Sequence, residues 1–279
     1  MIQFVPVDAL ELANSVCPGI VHSQVRYKDL LTRLLQPGVR WLDLGCGHEV
    51  FRPWTLLRGE SENSLTQIPA LSVGVDSDVP ALRRNRSIPN RVAGSICALP
   101  FADCSFDVIT ANMVLEHASQ PAAVLSEARR ILRPTGVFVF HTPNKYFPAS
   151  MLADLLPGGI KARLVARLTT RAERDVYPTF YRINTESAIS RQSKAAGFRI
   201  KYSQTVETLT YSPHRSLFLL ALTVAWLLRR KCLGRLQADF LVMLCKPDIG
   251  CACQRLERGS RANRTDTSST YRPSVPSAA

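Results

Sequence analysis

The fold is decided by Val39-Arg40-Trp41-Leu42-Asp43-Leu44-Gly45-Cys46-Gly47 and, further along the chain, by Leu71-Ser72-Val73-Gly74-Val75-Asp76. Each stretch is a short apolar run, which is typical of a buried parallel strand. The first run ends in two glycines, which allow the backbone to approach a ligand closely. The second ends in Asp76, and an acid at the carboxyl end of such a strand can accept both hydroxyls of a ribose. Together the two strands predict a nucleoside site at the carboxyl edge of a doubly wound α/β sheet.

The residues of the glycine loop distinguish between two classes of cofactor. A dinucleotide fold needs a third glycine after Gly45 and Gly47, because the pyrophosphate must sit on the N-terminus of the next helix. That position is Val50 here, and Glu49 would bring a negative charge towards a phosphate. A nicotinamide site is therefore disfavoured. Asp43 instead suits a ligand with a cationic amino group.

At this loop the chain closely resembles the class I S-adenosylmethionine-dependent methyltransferases of type 11, whose first motif is similar to Leu-Asp-Leu-Gly-Cys-Gly at residues 42–47. Glu49 stands where that family usually has its third glycine. The resemblance implies a Rossmann-like, doubly wound, mostly parallel seven-stranded sheet with helices on both faces, and S-adenosyl-L-methionine as cofactor. The family's cofactor positions fall on Asp43, Gly45, Cys46 and Gly47 at the methionine end, Asp76 on the ribose, Ser95 and Ile96 at the adenine, and Asn112 near the methionine moiety.

Motifs further along the chain extend the resemblance. Ser95 occupies the place of a family Asp that binds the adenine amino group, so adenine recognition is expected to lean on the backbone of Ile96. Leu115-Glu116-His117 is similar to a motif of the quinone methyltransferases. The Asn/Asp-Pro-Pro-Tyr signature of nucleic-acid amino-methyltransferases is missing at this place, which counts against a nucleic-acid substrate.

The rest of the pattern predicts five more strands and four helices. The strands are predicted at residues 91–95, 106–111, 137–140, 198–202 and 238–245, and the helices at Gln24–Leu35, Val79–Asn85, Pro121–Leu132 and Glu186–Ala196. Asp78 and Thr185 are expected to cap two of these helices, and Pro134-Thr135-Gly136 to close a third. Residues 1–38 are then a helical lead-in, residues 39–250 a methyltransferase domain, and residues 251–279 a disordered basic tail.

Two segments of the predicted domain fall outside the common core. Residues 145–185 are predicted to form a helical and loop insertion before the sixth strand, which lines a substrate pocket through Tyr181 and Arg182. An ordinary connecting loop is the alternative. Residues 216–230 are predicted to form an apolar helix with basic ends, which is too short to cross a bilayer. Burial in the core and contact with a membrane interface both remain open for it.

The expected chemistry makes few demands on the protein. A sulfonium methyl group is already a strong electrophile, so the protein mainly has to hold a nucleophile in line with it and exclude water. No acid–base pair is obligatory. If the acceptor is a hydroxyl, His117 and His141 are the candidate bases, because both follow strands into the expected cleft. A hydrogen-bonded structural role is the alternative for each.

The net charge of +13 is unevenly distributed. Residues 1–150 hold 14 Lys and Arg against 13 Asp and Glu, whereas residues 151–279 hold 21 against 9. This asymmetry indicates an anionic neighbour or a plain solvated basic surface. The first residues lack the pattern of a secretory signal, so a cytoplasmic location is expected, with peripheral contact to the inner membrane face as an alternative. The eight cysteines lack C-x-x-C spacing, and their only cluster is Cys245, Cys251 and Cys253; reduced thiols are predicted there, with a metal site as the alternative.

Three functions follow from these observations. The first is a methyltransferase that acts on a small-molecule, lipid-linked or glycan-type acceptor, in contact with an anionic membrane surface through its basic second half. The second is an RNA methyltransferase, which the charge alone supports. The third is a non-catalytic subunit with a cofactor fold, which Glu49 and Ser95 suggest because both replace usual family residues.

Overall fold

The computed structural model describes residues 21–51, 65–147, 151, 177–207 and 236–246, and within them one seven-stranded sheet. In chain order its elements are α1 (Ser23–Leu34), β1 (Arg40–Leu44), β2 (Leu71–Asp76), α2 (Val79–Arg84), β3 (Asn90–Ala93), β4 (Phe106–Asn112), a short 3-10 helix (Leu115–His117), α3 (Pro121–Ile131), β5 (Leu132–Pro143), α4 (Glu186–Ala195), β6 (Arg199–Val206) and β7 (Asp239–Cys245).

The strands lie in the order β3-β2-β1-β4-β5-β7-β6, with β7 antiparallel to both of its neighbours and the pairs from β3 to β5 parallel. The chain moves outward from β1 through β2 and β3, then returns to the other side of β1 with β4. Ligands bind at the carboxyl ends of the strands where the order reverses in this way. The predicted seven-stranded, mostly parallel sheet is therefore confirmed, and its topology places a crevice over the ends of β1 and β4.

Two hydrophobic clusters cover the two faces of the sheet. Successive side chains of a strand point to opposite faces, and β5 shows this alternation. Phe138 and Phe140 belong to the cluster that includes α3 and α4, whereas Val137 and Val139 belong to the cluster that includes α1 and α2. Helices thus lie on both faces, as predicted. Among the described residues, no helix is long and apolar enough to span a membrane.

The four described helices begin and end within one residue of their predicted bounds. The side chains of Asp78 and Thr185 accept hydrogen bonds from Ala81 N and Ala188 N, so both predicted caps are confirmed. Helix α3 ends at Ile131, one residue before its predicted end at Leu132. Leu132 is already extended and pairs with Phe106. Strand β5 therefore begins at Leu132 rather than at residue 137.

Several predictions fall outside the described residues. They are the apolar helix at 216–230, the tail at 251–279, residues 1–20 of the lead-in, and residues 148–150 and 152–176 of the insertion. The cysteine cluster at residues 245–253 is described only at Cys245, which is a free thiol. No group of side chains that could hold a metal ion is found in the part of the chain that the structure describes.

Arg130 fixes the loop between β3 and β4, which follows the predicted adenine residues. Its guanidinium donates hydrogen bonds to Leu99 O (3.0 Å), Phe101 O (2.7 Å), Asp103 Oδ1 (2.7 Å) and Glu127 Oε1 (2.8 Å). Glu127 in turn accepts from Leu99 N at 2.7 Å. Arg130 and this amide hold the pKa of Glu127 below its usual value. The loop is thus clamped by one cation and one carboxylate.

Replacing Arg130 with methionine is expected to lower the free energy of unfolding by about 1–2 kcal/mol at pH 7. A carboxylate with a lowered pKa contributes stability above its unfolded pKa of about 4.3, and the contribution is lost as the pH falls through the lower folded value. The deficit should therefore shrink at pH 3. Denaturant unfolding at both pH values measures it, with the exposed Arg33→Met as control. A deficit that is equal at both pH values would refute the clamp.

Candidate cofactor site

The glycine loop after β1 is held against β2 and leaves one face open. Gly45 N and Cys46 N both donate to Val75 O, at 2.7 and 3.2 Å. Gly45 and Gly47 have φ angles of +65° and +50°, which favour glycine. A Cβ added to Gly45 would lie 2.5 Å from Val114 Cγ2, whereas one added to Gly47 would meet nothing within 4 Å. The loop therefore packs through Gly45 and faces open space at Gly47.

Asp76 lies directly beside this open face. Its Oδ2 accepts a hydrogen bond from Gly47 N at 2.8 Å, and its Oδ1 accepts one from Asp78 N at 2.8 Å. The carboxylate is half-buried. Since each carboxylate oxygen has a second lone pair, both can still accept a ligand hydroxyl. The structure thus brings together the acid and the glycine loop, as the sequence pattern predicted.

Asn85 supports the loop from the protein interior, and the sequence analysis did not identify it. Its side chain is fully buried, and Nδ2 donates to Cys46 O and Gly47 O at 3.2 and 3.1 Å. Its Oδ1 accepts from the amides of Ser87 and Ile88. The Asn-x-Ser pattern after α2 could have indicated the local turn. No spacing in the sequence indicates the contact with residues 46 and 47.

The side chains of Asp43 and Cys46 are buried at the base of the loop and have different roles. Asp43 is 3% exposed, and its Oδ1 accepts a 2.5 Å hydrogen bond from Thr110 Oγ1. The Cys46 thiol packs against Gly74, where an added Cβ would come within 2.6 Å of Sγ. Burial, reinforced by the carboxylates of Asp43 and Asp76, raises the pKa of Cys46 well above its usual value. Cys46 is therefore a protonated packing residue that presents only its backbone to the loop.

The predicted adenine residues follow on the same edge of the sheet. Gly94 N donates to Asp76 O at 3.0 Å, so Ser95 and Ile96 lie next to the end of β2. Ser95 is exposed, and its Oγ accepts from Cys97 N at 3.1 Å. The Ser95 hydroxyl thus stabilises its own turn, while Ile96 packs partly against the core.

The expectation that His141 enters an open cleft is wrong. His141 is fully buried within β5, with Nδ1 2.8 Å from Asn112 Oδ1 and Nε2 3.0 Å from Asp239 Oδ2. The physical reason is the strand alternation, because residue 141 shares a face with Val137 and Val139, which α1 covers. The Tyr27 ring of α1 packs against it at a centroid distance of 5.8 Å. A base must present an accessible nitrogen to its acceptor, so we assign His141 to a buried network rather than to catalysis.

Asn112 belongs to the same network. Its amide pairs reciprocally with Gln24 of α1, through Asn112 Nδ2 to Gln24 Oε1 at 2.8 Å and Gln24 Nε2 to Asn112 Oδ1 at 3.1 Å. It lies at the end of β4, and its side chain is engaged with α1 and β5, so its place near the methionine moiety stays a prediction. Gln24, Asn112, His141 and Asp239 therefore fix α1 to the carboxyl ends of β4, β5 and the start of β7.

His117 lies at the edge of the site. Its Nδ1 is 2.7 Å from Pro178 O, and its side chain is 31% exposed. A carbonyl oxygen only accepts, so Nδ1 carries the proton, and in the neutral ring Nε2 carries the lone pair. Of the two candidate histidines, His117 is therefore the one suited to take up a proton from a hydroxyl substrate.

Tyr181 and Arg182, the predicted substrate contacts, have different surroundings in the structure. Tyr181 N donates to Glu116 O at 3.3 Å, so its backbone is fixed to the turn after β4. Arg182 is exposed and lies 6.0 Å from the centre of the Phe180 ring. It lines a surface depression of about 560 Å³ together with residues 119–123 and Gln192. The structure thus places Arg182 beside the start of α3 rather than at the glycine loop.

This sheet order, with a glycine loop open towards the acid on the neighbouring strand, defines a class I S-adenosylmethionine-dependent methyltransferase. The open face at Gly47 and the remaining acceptor capacity of Asp76 fit the nucleoside of that cofactor. A family model described as a methyltransferase domain matches residues 21–202, and the chain belongs to this family.

Similar proteins agree with this class. The demethylmenaquinone methyltransferase of Mycobacterium sp. strain KMS is 30% identical over 169 residues, which are 58% of this chain and 68% of that protein. The ubiquinone biosynthesis O-methyltransferase of Pseudomonas putida is 26% identical over 190 residues, 65% of this chain and 72% of that protein. The chain spans only about a third of the length of two other curated relatives that it matches.

Solved structures show the same fold. That of the cyclase SpnF superposes with a TM-score of 0.51 at 20% identity, and the match covers 87% of this chain and 94% of SpnF. At this identity the likeness concerns the fold alone.

A substitution at Gly47 in the glycine loop can be compared with a matched substitution at Gly38, which lies before β1. Gly47→Ala and Gly38→Ala both place a Cβ at positive φ in space that is open for 4 Å. Each is expected to cost about 1 kcal/mol of stability. Only Gly47→Ala is expected to weaken binding of S-adenosylhomocysteine, by about tenfold or more, because its methyl group would occupy the ligand's space. Thermal unfolding and calorimetric titration measure the two effects, and equal affinities of both variants would argue against the loop as the binding site.

Proposed function

We propose that the chain transfers a methyl group from S-adenosylmethionine to an oxygen atom of a small or lipid-linked apolar acceptor. The observation that carries the cofactor half of this proposal is the open face of Gly47 beside the carboxylate of Asp76. When bound, the cofactor supplies an electrophilic methyl group. The chain's own residues then have three tasks, which are to hold the nucleoside, to orient the acceptor and to take up its proton.

The holding residues are arranged along the ends of β1 and β2. Asp76 would accept the ribose hydroxyls, and the backbone at Gly45 and Gly47 would hold the amino-acid end. Asp43 is a buried carboxylate below the loop, and its negative charge favours a cationic amino group nearby. None of these residues needs to move a proton.

The acceptor side is aromatic and apolar. Among the described residues, Tyr146, Met151, Tyr177 and Phe180 are large apolar side chains about half exposed. Tyr177 and Phe180 share the segment that contacts Glu116 and His117, and exposed apolar groups that lie close together mark a binding surface for an apolar ligand. His117 next to this segment can accept the proton of a hydroxyl acceptor through Nε2. The names of the quinone-pathway relatives support an acceptor of this kind, and one of them is an O-methyltransferase.

Transfer of a labelled methyl group to cell extracts tests the proposal. The purified chain is incubated with methyl-labelled S-adenosylmethionine and extract, and the products are separated into an organic phase, a nucleic-acid fraction and a protein fraction. We expect a labelled product in the organic phase with the wild-type chain and no such product with Asp76→Ala. Label confined to RNA would favour the nucleic-acid alternative. Tight cofactor binding without label in any fraction would favour the non-catalytic alternative.

A further inference from the structure

Residues 177–181 contact the turn that follows β4. Phe180 N and Tyr181 N both donate to Glu116 O, at 2.7 and 3.3 Å. His117 donates from Nδ1 to Pro178 O at 2.7 Å. This short segment is therefore fixed by three hydrogen bonds on the β4 side of the glycine loop.

The same segment contacts the other side of the loop through Tyr177. The Tyr177 hydroxyl donates to Asp78 Oδ2, and the Tyr177 ring meets the His117 ring edge-on at 5.8 Å. Asp78 N donates to Asp76 Oδ1 at 2.8 Å. The Tyr177 hydroxyl, together with Ala81 N, holds the pKa of Asp78 below its usual value. Tyr177 is thus linked through Asp78 to the acid that faces the ribose.

The order of the strands shows what lies between these two contacts. β1 is flanked by β2 on one side and by β4 on the other. A segment that bonds both the turn after β4 and the residues after β2 must pass over the carboxyl end of β1, where Gly45 and Gly47 lie. The side chain of Tyr177, which joins the two contacts, therefore reaches across the carboxyl end of β1.

We propose that Tyr177 is a cofactor-retaining residue, which bridges the ends of β2 and β4 through Asp78 and His117 and holds the bound nucleoside beneath it. The inference rests on the proposed cofactor site. Release of the cofactor then requires the Tyr177–Asp78 hydrogen bond to open, so the bond slows dissociation.

Substitutions that keep the fold can remove this one hydrogen bond from either end. Tyr177→Phe keeps the ring and removes the hydroxyl. Asp78→Ser keeps a side chain that can cap α2 but is too short to reach Tyr177. Tyr202→Phe is the matched control, because the Tyr202 hydroxyl bonds Gln204 within β6.

Stopped-flow displacement of S-adenosylhomocysteine from the full chain measures the dissociation rate constant. We expect it to rise about tenfold in Tyr177→Phe and in Asp78→Ser, since one hydrogen bond is lost in each. The double variant should show no further rise, because both substitutions remove the same bond, and Tyr202→Phe should match the wild type. Unchanged rates in both single variants would overturn the role of Tyr177 and leave the proposed function standing. A wild-type chain that does not bind S-adenosylhomocysteine would overturn both.

Discussion

Asp76→Ala is expected to weaken binding of S-adenosylmethionine by about 10²–10³-fold. Two ribose hydroxyls would lose a charged acceptor, and hydrogen bonds to charged groups contribute about 1.5–3 kcal/mol each. The substitution also removes the acceptor of Gly47 N and Asp78 N, so the loop loses its support at the same point. Calorimetric titration of the wild type and the variant measures the change.

The control for this prediction removes a carboxylate elsewhere. Asp29→Ala deletes an exposed negative charge on α1 and should leave the affinity within about twofold. Asp76→Asn retains one carbonyl acceptor and should fall between the two. Wild-type affinity in Asp76→Ala would show that the ribose lies elsewhere.

His117→Gln is expected to lower kcat by about 10²-fold or more, while the affinity for S-adenosylhomocysteine stays unchanged. Glutamine can still donate to Pro178 O, so the segment at residues 177–181 keeps its contact, but it cannot take up a proton. The wild-type rate should fall on the acid side as the imidazole becomes protonated. The variant should lack this dependence. Steady-state kinetics over a range of pH gives both quantities.

A particular result would exclude His117 as the base. If His117→Gln keeps the wild-type kcat and the same pH profile, the acceptor reaches the methyl group already deprotonated or is not a hydroxyl. If kcat and cofactor affinity fall together, His117 acts through its contacts with Pro178 and Tyr177 and not as a base.

Sequence patterns were informative wherever the physical cause is local. The apolar runs that end in Gly45 and Asp76 predicted two parallel strands, because strands buried on both faces need continuous apolar residues. Asp78 and Thr185 indicated where their helices begin, because each side chain caps the backbone amide three residues further along the chain. The start of β5 was predicted too late, at residue 137, whereas the strand begins at Leu132.

Some contacts in the site join residues that lie far apart in the sequence, so no spacing pattern predicts them. Asn85 reaches back to residues 46 and 47, and Tyr177 reaches Asp78 across the mouth of the site. Such contacts depend on how the sheet is assembled, which the single sequence does not specify. The burial of His141 has the same origin, because both faces of β5 are apolar and only the assembled fold shows that α1 covers the face of residues 137, 139 and 141.

The central claim is that the cofactor lies across the ends of β1 and β2. A crystal structure of the full chain grown with S-adenosylhomocysteine tests it most directly. We predict both ribose hydroxyls within hydrogen-bonding distance of the Asp76 carboxylate, the homocysteine moiety over Gly45 and Gly47, and Tyr177 above the ligand. A ligand bound at any other edge of the sheet, or a site that stays empty at saturating ligand, would contradict the account.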